Sequence, residues 1–162
     1  MNSSDTKTQS STWQTLAAIY VIAVAFNLVW ELAQAPLYIG MNGFRQSWRV
    51  CLLATLGDGL LLLLIFAVGW LVLRRWDWFV RPGVRGYALM IVTGLVIAVC
   101  IELAAVYVMG RWEYTKQMPL VPGLGIGLTP VAQMLVLPPL IFRVVTVWLK
   151  RAETKGGIGI YR

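Results

Sequence analysis

Three acidic residues and one glutamine interrupt the apolar segments of this sequence. Glu31 lies in FNLVWELAQAPLY (26–38), Asp58 in LGDGL (56–60), Glu102 in VCIELAAVY (99–107) and Gln133 in LTPVAQML (128–135). A carboxylate near the centre of a membrane helix costs at least about 2.5–3.5 kcal/mol, so such acids usually face polar groups and mark functional sites. Counted from the predicted helix ends, all four residues lie at one depth, roughly 10–13 Å below the same surface. This predicts one shared internal pocket.

Carboxyl groups held close together suit acid–base chemistry. Their pKa values separate, which leaves one acid beside one base at neutral pH. Such a pair can protonate a double bond or an epoxide, move a proton, or assist hydrolysis. We predict Glu31 and Glu102 as the acid–base pair and Asp58 as a group that orients them or stabilises charge. Because histidine is absent, the familiar Ser–His and Cys–His arrangements of acyl transfer are excluded.

Polar and aromatic neighbours of these acids predict a binding surface. Asn27, Glu31 and Gln34 are spaced i, i+4 and i+7, which places them on one face of a helix. Trp30 lies beside them and suits either a pocket wall or an interfacial anchor. The predicted binding residues are Asn27, Trp30, Gln34, Arg111, Tyr114 and Gln133.

Four apolar runs must position these residues. They are residues 15–39, 50–73, 87–109 and 125–149, and each exceeds the roughly 20 helical residues that cross a bilayer core. Only 13% of residues are charged, against about 25% in soluble domains. We predict an all-α polytopic membrane protein with four transmembrane helices. Residues 1–14 form a disordered cytoplasmic tail, 15–149 the membrane domain and 150–162 a basic cytoplasmic tail.

A loop rich in proline and glycine precedes the fourth run. It reads RWEYTKQMPLVPGLGIGLTP (111–130). Its prolines prevent one continuous helix and its glycines permit tight turns. Irregular backbone is tolerated at membrane depth where it lines a protein cavity. The pattern therefore predicts an outer loop that can re-enter the membrane above the pocket.

Basic residues are divided unequally between the two sides of the predicted bundle. Ten lie on the side shared by both termini and the middle loop, and four (Arg45, Arg49, Arg111 and Lys116) lie on the other. The positive-inside rule predicts cytoplasmic termini and a pocket that faces the outer leaflet. The net charge of +7 suits anionic lipid headgroups, and the tryptophans of LRRWDWFVRPGVR (73–85) suit an interfacial belt. We expect a multi-pass protein of a bacterial cytoplasmic membrane, with membrane lipids as partners.

Several partners and cofactors are not expected. Without histidine, the usual haem, zinc and copper sites lack a ligand. Cys51 and Cys100 lie at different predicted depths and form no metal-type spacing, so we interpret both as small packing residues. No nucleic-acid motif is present. The sequence therefore predicts no metal, no cofactor and no nucleic-acid partner.

The pattern leaves several functions open. The preferred interpretation is acid–base chemistry on, or binding of, a lipid or isoprenoid-like molecule from the outer leaflet. Proton-coupled transport or binding of a small cation is the first alternative. Helix 1 resembles that of small multidrug-resistance transporters, which are also four-helix proteins, at Trp30–Glu31, whereas Asp58 and Glu102 lie outside that pattern. A polar clamp also stays open, in which the acids are protonated or paired with Arg45, Arg49 or Arg111 and only hold the helices together. A homo-oligomer, and a subunit or assembly factor of a larger membrane complex, are further alternatives.

Overall fold

Four long helices make up most of the chain. The computed structural model describes residues 3–41 and 44–156, with side chains for 12–41 and 47–152. The elements are α1 (Ser3–Gln34), a 3-10 turn (Ala35–Leu37), α2 (Phe44–Leu73), α3 (Gly83–Leu103), a π-helical turn (Ala104–Val108) and α4 (Leu128–Gly156).

All four helices are long and apolar enough to cross a membrane, and the described residues contain no strand. The candidate spans are Thr12–Leu37, Ser47–Leu73, Gly83–Val108 and Leu128–Ala152. The predicted fold class, an all-α multi-pass membrane protein with four spanning helices, is confirmed.

Most helix boundaries differ from the predicted ones, and the largest differences are at the start of α1 and the end of α4. Helix α1 begins at Ser3, inside the segment predicted to be a disordered tail, because no glycine or proline interrupts residues 3–34. Helix α4 begins at Leu128 and continues to Gly156, into the predicted basic tail. At the other end of α1, Pro36 lies in the 3-10 turn, where its ring disfavours further helix.

The helices form a ring in the order α2, α1, α4, α3. Helix α1 packs against both α2 and α4, and α3 packs against α4, whereas α2 and α3 share the smallest contact of the four. The largest apolar core joins the helix ends that are remote from the acidic residues. Its fully buried members include Ile19, Leu62, Ile65, Phe66, Met90, Ile141, Phe142 and Val145.

Trp78 belongs to this core rather than to an interfacial belt. Its side chain is buried, and its indole N–H donates to the Phe66 carbonyl at 3.1 Å. The ring also lies against Gly69 of α2, where a Cβ would overlap it. The sequence correctly indicates an aromatic α2–α3 connection, but the packing turns Trp78 inward.

Gly94 allows α3 and α4 to approach closely. A Cβ at this position would overlap the Met134 carbonyl oxygen of α4. That carbonyl has no helical donor four residues later, because residue 138 is a proline, which lacks an N–H. Helix α4 nevertheless continues through Pro138 and Pro139. Because Gly94 has no side chain, α3 can pack directly against the Met134 carbonyl, which Pro138 leaves without its helical hydrogen bond.

We expect Gly94→Ala to destabilise the bundle by about 1–3 kcal/mol, as overpacking does in a close-packed core. Gly57→Ala is the matched control, because nothing lies within 4 Å of a Cβ added there. Thermal unfolding of both variants in detergent measures the difference. Equal midpoints for the two variants would contradict the close approach of α3 and α4.

The loop before α4 folds into a small hairpin. Val121 N–H donates to the Ile126 carbonyl at 2.8 Å and Leu128 N–H to the Pro119 carbonyl at 2.7 Å. Gly125 at its tip has a φ of +65°, which few residues other than glycine adopt. Ile126 is fully buried against α3 and α4. The loop is therefore anchored in the bundle by an apolar side chain.

Candidate functional site

The structure places the three acids on the wall of one cavity. The cavity has a volume of about 120 Å³, and its wall includes Glu31 of α1, Asp58 of α2 and Glu102 of α3. Gln34 of α1 and Gln133 of α4 lie on the same wall. All four helices thus contribute a strongly polar side chain to one space inside the bundle.

The remaining wall is mainly apolar and lies along the contact between α2 and α3. Val50, Ala54 and Leu61 of α2 face the cavity, as do Ala98 and Ile101 of α3. Val50 and Ile101 are also exposed on the outside of the bundle, at 48% and 39% of their surface. The cavity wall therefore reaches the lipid-facing surface between the two helices with the smallest mutual contact.

A chain of amide hydrogen bonds links two of the acids. Gln34 Nε2 donates to Glu31 Oε1 at 2.6 Å and to Gln133 Oε1 at 3.1 Å. Gln133 Nε2 donates in turn to Asp58 Oδ2 and to Asn27 Oδ1, both at 2.8 Å. Asn27, Gln34 and Gln133 are all buried. Their amide groups are therefore satisfied mainly by one another and by the acids.

Glu102 has a separate set of partners. Tyr114 donates its phenolic O–H to Glu102 Oε2, and the Gly127 backbone lies near enough to influence this carboxyl. The Trp112 indole lies near enough to influence the same group, although its buried N–H has no hydrogen bond of normal geometry to any described residue. The loop before α4 thus holds Glu102, whereas the amide chain holds Glu31 and Asp58.

A π-helical turn begins two residues after Glu102. It spans Ala104–Val108 and is closed by the Met109 N–H, which donates to the Ala104 carbonyl at 2.8 Å. π-Helical turns are rare in proteins, and those that occur are often found at functional sites. In this protein the turn ends α3 and directs the chain into the loop that supplies Trp112 and Tyr114.

An extended pairing closes the loop over the cavity. Ile39 N–H donates to the Glu113 carbonyl and Thr115 N–H to the Leu37 carbonyl, both at 2.9 Å. The pairing places Tyr38 beside Tyr114, with ring centroids 5.7 Å apart. Tyr38 is buried and lines the cavity, and its ring meets that of Trp112 edge to face at 6.1 Å.

Both tyrosines keep their protons over the physiological pH range. Burial and the hydrogen bond to Glu102 raise the pKa of Tyr114 to about 12. Burial, followed by the charge of Glu102, raises the pKa of Tyr38. Each phenol is therefore a hydrogen-bond donor beside the cavity rather than a base.

The predicted binding residues have different positions relative to the cavity. Gln34 and Gln133 line it, whereas Asn27 and Trp30 reach it only through the amide chain. Tyr114 contacts Glu102 directly. Arg111 is exposed and is not part of the wall, and its binding role stays a prediction.

Among the wall residues that were not predicted to be in the site, three carry an aromatic ring or a thiol, namely Tyr38, Cys51 and Trp112. Tyr38 and Trp112 stand in the densest polar and aromatic stretches, WELAQAPLY and RWEY. The density of polar and aromatic residues was the only sequence signal for Tyr38 and Trp112. The pairing that brings the two stretches together cannot be read from the sequence of either stretch. Cys51 donates its S–H to the Glu31 carbonyl at 3.7 Å.

Positive charge is absent from the described part of the wall. Among the described side chains, no lysine or arginine lines the cavity. An ion pair between Arg75 and Asp77 lies away from it, in the α2–α3 connection. The described residues also contain no group of three histidine, cysteine or acidic side chains arranged for a metal ion. Arg45, a predicted partner in the polar-clamp interpretation, lies outside the described side chains.

Fold and site together define a class of protein. It is a four-helix multi-pass membrane protein with an internal cavity whose wall carries acidic side chains. Comparison with protein-family models, curated proteins and solved structures finds no match. The function must therefore be inferred from the chemistry of the cavity.

Proposed function

We propose that this protein binds a lipid or isoprenoid-like molecule in the cavity and transfers protons to and from it. The observation that carries this proposal is the combination of three acids with an apolar wall that reaches the lipid-facing surface between α2 and α3. A hydrocarbon chain can enter there without crossing water. The polar groups then act on one segment of that chain.

The simplest reaction of this class moves a double bond. A carboxylic acid, Glu31 or Glu102, donates a proton to one alkene carbon, and the π electrons form the new C–H bond. A carboxylate then removes a proton from the carbon next to the cation, and that C–H pair forms the new double bond. The molecule is an isomer of its precursor, and neither an oxidant nor a cofactor is consumed. General acid–base catalysis of this kind contributes about 10²–10⁴-fold in rate.

Aromatic side chains supply the second requirement of this chemistry. The carbon that receives no proton carries a transient positive charge, and the faces of tyrosine and tryptophan attract cations. Tyr38 and Trp112 both lie on the cavity wall. They support the proposal because an aromatic ring can stabilise the carbocation without forming a covalent bond to it.

A comparison of lipid extracts tests the proposal. Cells of the native host from which the gene has been deleted are compared with complemented cells by chromatography and mass spectrometry. We expect one lipid to accumulate in the deletion and a chemically altered form, such as an isomer, to disappear. Indistinguishable extracts would contradict the enzymatic proposal and favour a subunit of a larger membrane complex.

A second candidate is proton-coupled binding of an organic cation. It is favoured by three acids on a described wall without lysine or arginine, beside aromatic rings that suit a quaternary ammonium group. Titration of the purified protein with tetraphenylphosphonium, followed by tryptophan fluorescence, tests it. Saturable binding that weakens as the pH falls would support this candidate, and its absence would exclude it for this probe.

We further propose that the protein lies in a bacterial cytoplasmic membrane with both termini in the cytoplasm, as the distribution of basic residues indicates. Lys116 and Arg81 are both exposed and lie on opposite sides of the proposed bundle. With Cys51 and Cys100 replaced by alanine, Lys116→Cys should react with a membrane-impermeant maleimide in intact cells. Arg81→Cys should react only after permeabilisation, and the reverse pattern would overturn this orientation.

A further inference from the structure

The direction of the amide chain is fixed at both of its ends. The Trp30 indole N–H can only donate, and it bonds Gln34 Oε1 at 3.2 Å. At the other end, the Ala23 carbonyl can only accept, and it receives Asn27 Nδ2 at 2.8 Å. The oxygen and nitrogen positions of a side-chain amide can usually be exchanged without changing its shape. Here only one orientation of Gln34, Gln133 and Asn27 gives every hydrogen bond of the chain one donor and one acceptor.

The direction of the amide chain determines which oxygen of Glu31 and which oxygen of Asp58 accepts an amide N–H. Gln34 presents an N–H to Glu31 Oε1, and Gln133 presents one to Asp58 Oδ2. The carbonyl oxygen of a protonated carboxyl is a better acceptor than its hydroxyl oxygen, so each of these N–H groups favours the oxygen that carries no proton. Protonated Glu31 therefore favours its proton on Oε2, and protonated Asp58 favours it on Oδ1.

We propose that Trp30, Gln34 and Gln133 are positioning residues that hold one oxygen of Glu31 and one of Asp58, so that the acidic proton lies on the other oxygen. The inference rests on the proposed function, since it assigns the oxygen through which each acid would exchange a proton with a bound lipid. It also changes the role of three predicted binding residues. Their N–H groups act on the acids.

The chain also separates the three acids into two groups. Glu31 and Asp58 are held by amide N–H groups that do not exchange protons readily. Glu102 is held by the phenolic O–H of Tyr114. An amide chain fixes geometry without carrying protons, so Glu31 and Asp58 do not exchange protons with each other through it.

Infrared spectroscopy tests the positioning directly. In acidified protein, the C=O stretch of the Glu31 carboxyl is isolated as the band that Glu31→Gln removes. Gln34→Met keeps the length of the side chain and removes the N–H donor to Oε1. We expect the Glu31 band to move to higher wavenumber, because a carbonyl that loses its hydrogen bond becomes stiffer. Gln117→Met, at an exposed glutamine of the loop, should leave the band unchanged.

Trp30→Phe provides a second variant that keeps an aromatic ring in the packing. It removes only the N–H that sets the direction of Gln34, so the band should broaden or shift in the same sense. With the converted lipid as substrate, kcat should fall by about tenfold or more in Gln34→Met, as misplaced reacting groups require, while KM stays within about twofold.

The outcomes separate this inference from the proposed function. An unmoved Glu31 band in Gln34→Met overturns the positioning role, whatever the activity. A moved band with an unchanged kcat also overturns it. If the wild-type protein converts no lipid, the proposed function fails, and the band still decides whether the amide chain holds Glu31.

Discussion

Replacing Glu31 or Glu102 by glutamine is expected to lower lipid conversion by about 10²–10⁴-fold, the usual contribution of a general acid or base. Glutamine keeps the size and the acceptor oxygen of glutamate and loses the exchangeable proton. Glu31→Gln therefore retains an oxygen for the Gln34 N–H, and Glu102→Gln retains one for the Tyr114 O–H. The measurement is kcat of the purified variants with the lipid that distinguishes deleted from complemented cells.

The same two variants should insert and purify normally. Removing a buried ionisable group leaves stability unchanged or raises it, when the hydrogen bonds are kept. Glu113→Gln is the matched control, because Glu113 is an exposed acid of the neighbouring loop. If both site variants match the wild type in turnover and in cation binding, the acids form a polar clamp and the catalytic proposal is wrong.

The second large effect is expected from filling the cavity. Ala54 of α2 lies on the cavity wall and is partly buried. In Ala54→Phe, the larger side chain would occupy the apolar part of the space through which a hydrocarbon chain is proposed to enter. We expect kcat/KM to fall by at least about tenfold, because displacement of a substrate by 1 Å can cost about 10²-fold in rate.

Leu53→Phe is the control for this substitution. Leu53 precedes Ala54 in α2 and is 67% exposed, so the added ring points away from the bundle. Thermal unfolding of both variants shows whether the fold survives. A folded Ala54→Phe protein with wild-type kcat/KM would exclude substrate binding between α2 and α3 at this level.

The four helices follow from the sequence without further information. Each apolar run is long enough to cross a bilayer, and a chain in lipid must satisfy its backbone hydrogen bonds internally, which leaves helices as the simplest solution. The spacing of Asn27, Glu31 and Gln34 likewise fixes their common face, because helical geometry is local. Composition and local periodicity therefore determined the fold class and which polar side chains share a helix face.

Other features depended on contacts between distant parts of the chain. Gln133 bonds Asn27 across 106 residues, and nothing local to either residue reveals which amide atom meets which partner. The same holds for Tyr38 and Tyr114, which are joined by an extended pairing between two loops. Trp78 shows the reverse case, because the local sequence suggested an interfacial tryptophan and the packing buries it.

The physical reason is that burial depends on the neighbours a helix meets and not on its own pattern. In lipid both faces of a helix can be apolar, so hydrophobic periodicity says little about which side chains meet in the interior. A hydrogen bond also has a direction that is set only when donor and acceptor come together. The sequence by itself determined which residues could form a site, and the tertiary structure decided that the amide chain holds Glu31 and Asp58 while Tyr114 holds Glu102.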